Sequence, residues 1–590
     1  MAKRAPRPRS VILGNHRQTG ATVGWSPNAQ RHHAALFGVS GVGKTTLLTS
    51  MLRQHITNGT GLCLIDPHGG LFDELVGWLA FKGYDRKRTV HIIDPSEEGW
   101  RVGFNPLAAE EGDLRQVADN VEYILEAFAQ AWGGEDINQM PLYQRLLSAV
   151  LFAASHKGLT LLEAMKLLPV SRGEYREYVA TDLPDHLQQD VWDDIQRFNS
   201  RDFQDRFGSA FSRVSRFMRS YYIREMLGQQ ESIIDFYRCM EDGDIVLVNL
   251  SSQKGFSPAT AQLLGKLLIN SMYAASLQRE PENSRAFHLV IDEAESYLSG
   301  DVPSILTQCR KFGLHLTLSV QDLGQLMAAG ERVYRGVMSG CQTKFVFASG
   351  AEDAEELTKY VMPRGGYNLE EPIPSMIRSV PTGIEKRIVR GVAESWANSE
   401  VSIDVESHSA AAMSGRTVAL PGDVLTTMYS EEGHAISSSA TSSQPTEITM
   451  DGITSTHALS HSQGSVETSG GSRTESETYV PKFETLPTAL YSIEQQRHRH
   501  ASALADQRTG EVIVKIMRDD PIAVATKLPA PFLRKPERIA AFKERVVQAS
   551  SYTNSIDRVV SEIEDRQNLL ERCVEDFNRP TTLTYDEDQF

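Results

Sequence analysis

Gly38-Val39-Ser40-Gly41-Val42-Gly43-Lys44-Thr45-Thr46 has four free residues between its first glycine and a Gly-Lys-Thr. That is the spacing of a phosphate-binding loop. Its glycines let successive backbone N–H groups turn inward around phosphate oxygens. Lys44 supplies a point charge for the β- and γ-phosphates, and the Thr45 hydroxyl is a ligand for Mg²⁺. The flanks agree with this reading. Ala34-Ala35-Leu36-Phe37 reads as a buried strand and Thr46-Leu47-Leu48 opens a helix, so the phosphates sit at a helix N-terminus. The whole stretch Gly38, Ser40, Gly41, Val42, Gly43, Lys44, Thr45 and Thr46 is the candidate phosphate cradle.

Such a loop needs a second element. The metal needs an anionic partner, and hydrolysis needs a group that positions water. Phe287 to Ile291 reads as a strand running into Asp292-Glu293. Asp292 is the candidate metal ligand and Glu293 the candidate general base. Gln321 ends the next strand, Leu316 to Val320, which places its amide near the same crevice as a γ-phosphate sensor. Arg310-Lys311 lie between these two strands, where an arginine can reach a neighbouring subunit's nucleotide as a finger.

The rest of the chain fits a large α/β protein. Its 590 residues suggest two to four domains, and an apolar fraction of 41% with 8% aromatics is enough for a full core. The net charge of −16 argues against a surface coated with basic charge, though not against a local basic groove. The five cysteines, Cys63, Cys239, Cys309, Cys341 and Cys573, form no CxxC pair and no zinc spacing. They read as reduced thiols of a cytoplasmic protein. No apolar run reaches 18 residues. The best candidate, Leu263 to Leu277, is interrupted by Lys266, Asn270 and Ser271. Met1 to Arg9 is basic with no hydrophobic segment behind it, so it is not a secretory signal.

In order, residues 1–33 are a β-rich lead-in and 34–112 the first part of the α/β core. Gly61 to Asp66 and Val90 to Asp94 are further buried strands, the first ending in the turn Asp66-Pro67-His68-Gly69. Residues 113–228 are all-helical by their apolar periodicity. Near the end of this stretch, Arg197 to Arg224 interleave with aromatics. The reading favoured here is an aromatic core stripe with the arginines on the wet side; a basic surface for nucleic-acid phosphates is the alternative. Residues 229–399 resume the core, with strands at Asp244 to Leu250, Ala286 to Ile291, Leu314 to Val320 and Thr343 to Ala348. Strands alternating with helices imply a parallel sheet covered on both faces. Residues 400–480 are a Ser/Thr-rich linker too poor in apolar side chains to offset its ordering entropy. Residues 481–590 hold a β-hairpin around Arg518-Asp519-Asp520-Pro521, then a helix with apolar Ile556, Val560, Ile563, Leu570 and Val574, then the acidic tail Asp586 to Phe590. That helix covers under three heptads and reads as packing on its own molecule.

Several stretches resemble, in order, one family. They are Gly38 to Thr45, Asp66-Pro67-His68-Gly69, Phe104-Asn105-Pro106-Leu107, Val290 to Ala294, Cys309 to Leu314 and Val320 to Leu323. The chain is similar to the conjugative coupling ATPases of the VirD4, TraD and TraG type, within the group that holds HerA and FtsK. The resemblance covers about residues 10 to 400. It implies a RecA-like α/β P-loop core with an inserted all-α domain, and a ring of six subunits around DNA. ATP and Mg²⁺ bind between neighbours, with Lys44 and Thr45 on the phosphates and metal, Asp292 and Glu293 as the metal and water pair, Gln321 as sensor and Arg310 as trans finger. The acidic tail is similar to tails by which coupling proteins dock a DNA-bound partner. Membrane-bound members carry transmembrane helices before the phosphate loop. The 37 residues before Gly38 hold none. The expectation is therefore a cytoplasmic ATPase, peripheral at the inner membrane through a partner.

The leading expectation is an ATP-driven DNA translocase acting in conjugation, secretion or mobile-element biology. The rivals are a VirB4-like ring ATPase acting on protein, a HerA-like translocase in repair or defence, and a nucleotide-gated scaffold. Glu293 speaks against the last, since a pure binder needs no water-activating carboxylate.

Overall fold

A computed structural model of the chain describes residues 9–131, 141–181, 214–251, 257–298, 302–362 and 491–579, apart from positions 96, 232 and 282. It also describes scattered residues of 183–212 and the strands between 377 and 487. The chain divides into two units, Met1–Leu369 with Ser492–Phe590, and Glu370–Tyr491.

The larger unit is built on an eleven-stranded sheet. Its centre is seven parallel strands: β3 (Ala34–Phe37), β4 (Gly61–Asp66), β5 (Val90–Ile93), β7 (Ile245–Asn249), β8 (Phe287–Ile291), β9 (Leu314–Val320) and β10 (Thr343–Val346), while β6 (Trp100–Val102) pairs apart from it with Thr553–Ser555. They lie in the order β10-β3-β9-β8-β4-β7-β5. These strands are buried on both faces, which is why they read as continuous apolar runs. Alternate side chains serve opposite cores. Leu36, Leu62 and Leu64 join the helices Lys44–Thr57 and Gly70–Lys82 on one face. Phe37, Cys63 and Ile65 join the helix Pro258–Leu277 and the helical segment on the other. Leu64 is fully buried, and truncating it to Ala costs about 2–5 kcal/mol.

Beyond β10 the sheet continues antiparallel through β17 (Glu511–Ile516), β18 (Ile522–Thr526), β1 (Val11–His16) and β2 (Thr22–Trp25). The expected hairpin and the β-rich lead-in are therefore one four-stranded extension of the core. The helices of the region 113–228 include Leu114–Ala131, Pro141–His156, Gly173–Ala180 and Tyr221–Leu227. Phe217 is buried there, its ring edge-on to Phe128, while Arg216 and Arg219 are exposed. At these positions the arginines lie on the wet side of an aromatic core. Arg197, Arg206, Arg213, Phe198, Phe203, Phe207 and Phe211 lie outside the described residues.

The helix Ile556–Asn578 packs on the helical segment through Val559, Ile563, Leu570 and Val574. Arg566 pairs with buried Glu163 at 3.0 Å, and Lys166 with Glu571 at 3.3 Å. Val560, expected on the inner face, is 38% exposed. The buried row runs through Val559, four residues before Ile563, so the neighbouring valine falls outside the stripe.

In the smaller unit, β11 (Ile377–Ala393) pairs with β16 (Ser472–Pro487), β12 (Ala412–Ala419) with β15 (Thr446–Ile453), and β13 (Thr427–Tyr429) with β14 (Ala435–Ser437). The unit boundaries fall at 370 and 491, where the sequence suggested 399 and 481. The reason is that β11 and β16 pair with each other and not with the main sheet. Of the Ser/Thr-rich stretch 400–480, the described residues are those in these ladders. The acidic tail lies outside the described residues.

Candidate nucleotide site

The phosphate loop leaves β3 and enters the helix Lys44–Thr57 through Gly43, whose φ of 111° is left-handed. No side chain caps this helix. By contrast, Ser257 caps the helix Pro258–Leu277 by accepting from Thr260 N–H. The first N–H groups of the phosphate-loop helix are thus left for an anion. Gly38 is forced by packing: a Cβ there would lie 2.7 Å from the Phe347 Cβ. Neighbouring strands hold the loop in shape. Val39 N–H donates to Ala348 O at 3.0 Å, and Gly510 N–H, at the start of the hairpin, donates to Val42 O at 2.9 Å. Ser40, Gly41 and Thr45 are exposed, Thr46 is half-buried and Val42 is buried.

Lys44 is buried and donates its Nζ to Gly38 O at 2.5 Å and Val39 O at 3.0 Å. Burial lowers its pKa, and Asp292, Glu295 and Glu293, in that order, work to raise it. A cation held among carboxylates in a partly dry site is the arrangement a polyphosphate needs.

β8 carries the acids to the same end of the sheet. Asp292 N–H donates to Ile65 O at 3.1 Å. Burial, and then the Asp66 and Glu293 carboxylates, push the Asp292 carboxyl up. A bound dication relieves such a cost, so Asp292 and the exposed Thr45 fit Mg²⁺ chemistry. Glu293 has φ 47° and ψ 52°. A left-handed non-glycine residue costs about 1–3 kcal/mol and gathers at functional sites. Its Oε2 lies 2.6 Å from His68 Nε2. The turn that delivers His68 is shaped by Asp66, whose Oδ1 accepts from His68 N–H at 2.9 Å and Oδ2 from Phe72 N–H at 2.8 Å.

Two functional candidates escaped the sequence reading. One is His68, whose motif was noted without a role. The other is Glu295, only 8% exposed, whose Oε1 accepts from Gln321 N–H at 3.3 Å. Burial, helped by the Glu293 charge, pushes its carboxyl up to about 7 against the pull of the N–H donors and Lys44. An acid three residues past Asp292 looks like an ordinary turn residue in the sequence. Only its burial marks it.

The sheet order brings Lys44, Asp292, Glu293 and Gln321 together, because β9 lies between β3 and β8. Gln321, just past the carboxyl end of β9, is half-buried. Arg310 is not among them. It is exposed in the turn Cys309–Phe312 before β9, at the opposite end of a seven-residue strand. That is about 20 Å from its own Gln321.

Among the described residues, His91, Cys239 and Asp244 are close enough to share an ion. His91 Nε2 is instead within 2.9 Å of Asp244 Oδ2. The charges of Arg88 and Arg285 already bear on Asp244. Burial holds the Cys239 thiol above its usual range, so this group does not suit a cation.

Residues 11–271 match the family model for the central domain of the helicase HerA. Residues 203–371 match the type IV secretion-system coupling protein DNA-binding domain. The Type 4 coupling protein DotL of Legionella pneumophila is 20% identical over 410 residues, 60% of this chain and 52% of that protein. The chain thus spans about half the length of the curated relative it matches. Among solved structures, the unbound conjugative coupling protein TrwB has a TM-score of 0.47 at 12% identity, covering 90% of this chain and 92% of that one. VirB4 of Thermoanaerobacter pseudethanolicus has 0.39 at 15%, covering 61% and 89%. Among the described residues, no helix is long and apolar enough to cross a membrane. With a match to a HerA-type central domain running into a match to a coupling-protein DNA-binding domain, and a P-loop facing an Asp-Glu pair, the chain is similar to the type IV coupling proteins and to the HerA/FtsK group.

Proposed function

We propose that this chain hydrolyses ATP to move DNA, as the motor of a conjugative or secretion-type transfer system. The observation that carries the reading is the meeting of Lys44, Asp292 and Glu293 at the carboxyl ends of β3 and β8. Lys44 and the loop N–H groups hold the phosphates. Thr45 and Asp292 would hold Mg²⁺, which would supply positive charge to the phosphates. Glu293 takes the proton of the attacking water, and Gln321 senses the γ-phosphate. Nucleotide and Mg²⁺ are found with TrwB in solved structures.

The DNA track is supported by the match of residues 203–371 to a domain described as DNA-binding. A ring, with six subunits as the expected number, supplies Arg310 from a neighbour. The exposed position of Arg310, far from its own phosphate loop, is consistent with that role. A membrane or channel partner recruits the ring, and the acidic tail docks a further partner.

The test is steady-state ATP hydrolysis with and without single- and double-stranded DNA, at low and high salt. Salt-sensitive stimulation by one DNA form supports the motor and names its track. Hydrolysis indifferent to both forms overturns it in favour of a protein-directed ATPase of the VirB4 kind.

A further inference from the structure

β8 has a neighbour on each side, β9 and β4, and the turn after it is tied to both. On the β4 side Glu293 meets His68 at 2.6 Å. On the β9 side Glu295 accepts from the Gln321 N–H at 3.3 Å. Between the two lies a single turn of 3₁₀ helix, Ala294–Ser296. A buried carboxyl is costly unless its oxygens are hydrogen-bonded. Glu295 has one oxygen on Gln321 and the other, Oε2, buried with no hydrogen-bond partner.

We infer that Glu295 is a positioning residue that couples the tip of β9, which carries Gln321, to the turn that carries Glu293. The inference rests on the proposed ATPase reading of the site. The coupling works through short, stiff chemistry. A shift of Gln321 toward a γ-phosphate pulls the Glu295 carboxyl through one hydrogen bond. Glu295 is two residues from Glu293, whose left-handed backbone leaves one narrow conformational well. The turn therefore moves as a unit, and the general base reaches its water only when the sensor strand is in register. Glu295 acts through Gln321 and Glu293. Its contribution is to kcat and not to nucleotide affinity.

The test uses two variants of the full chain in steady-state ATP hydrolysis, with affinity for a fluorescent ATP analogue measured alongside. Glu295→Met fills the same volume without an acceptor oxygen, and Glu295→Gln keeps the acceptor. Expected is a kcat lower by about 10-fold or more in Glu295→Met, with KM and analogue affinity within about threefold of the parent. Glu295→Gln is expected to recover at least about half of the parental kcat. A normal kcat in Glu295→Met overturns the inference. So does an equal loss in both variants, which would show that charge and not the hydrogen bond matters. A raised KM at unchanged kcat also overturns it, by assigning Glu295 to binding. Lys44→Ala, run beside them, separates the two levels of the argument. Hydrolysis lost in Lys44→Ala but intact in Glu295→Met defeats the coupling alone. Hydrolysis intact in both defeats the ATPase reading of the site and the coupling with it.

Discussion

His68 Nε2 lies 2.6 Å from Glu293 Oε2, so the carboxylate assigned to activate water is already engaged by an imidazole from the neighbouring strand end. Two strands adjacent in space but more than 200 residues apart in the chain make this contact. Until that partner lets go, this oxygen is not free to accept a hydrogen bond from water.

His68→Ala is therefore expected to raise DNA-free ATP hydrolysis by about threefold to tenfold, with nucleotide affinity unchanged. Unstimulated turnover at saturating ATP checks it. A fall instead of a rise would mean the imidazole orients the base and does not restrain it.

Lys44→Ala removes the ammonium that sits on the loop carbonyls and abolishes turnover. Glu293→Gln keeps the shape of the turn and binds ATP, but hydrolyses it at least about 100-fold more slowly. Single-turnover kinetics with a separate binding measurement distinguishes the two effects. Near-parental rates in Glu293→Gln would move the role of base to another residue.

Arg310 stands too far from its own phosphate loop to act in cis. Mixing Arg310→Ala subunits with Lys44→Ala subunits is expected to restore part of the activity that each lacks, because some interfaces then pair an intact loop with an intact arginine. Absence of restoration at every mixing ratio would remove the finger.

A stability prediction follows from the other end of the sheet. His55 and His288 rings lie 4.0 Å apart, and His288 and His315 rings 5.5 Å apart, all buried. Burial lowers the pKa of His33 and His55 to about 4 and of His315 to about 3, from the ordinary histidine value of 6.5. A depressed folded-state pKa means that the unfolded chain binds more protons below 6.5. Stability is thus fully present above 6.5 and falls as pH drops toward 4, by about 1.4 kcal/mol per pH unit per histidine. A melting temperature clearly lower at about pH 5 than at about pH 7 is expected, and a flat profile would contradict it. Replacing His55 by Phe flattens part of the slope.

The parallel core was legible because strands covered on both faces leave no polar alternation to blur them, and each motif sits where such a strand ends. The positions of Lys44, Asp292 and Gln321 beside strand ends were readable for that reason. Glu295 and His68 were not, because their meaning lies in burial and in which strands are neighbours. The pairing of β10 with β17, across the whole smaller unit, has no local sequence signal either. Val559 and Val560 show the finer limit: adjacent valines differ by a rotation of 100° about the helix, and spacing alone chose the wrong one.

The Gly510–Val42 hydrogen bond gives the nucleotide loop a schedule. Residue 42 is synthesised more than 460 residues before its buttress. At about 5–20 residues per second that is a wait of tens of seconds. A nascent chain carries every residue of the phosphate loop long before it carries the backbone that holds the loop in shape, so the candidate nucleotide site is completed only once the hairpin strand has been made.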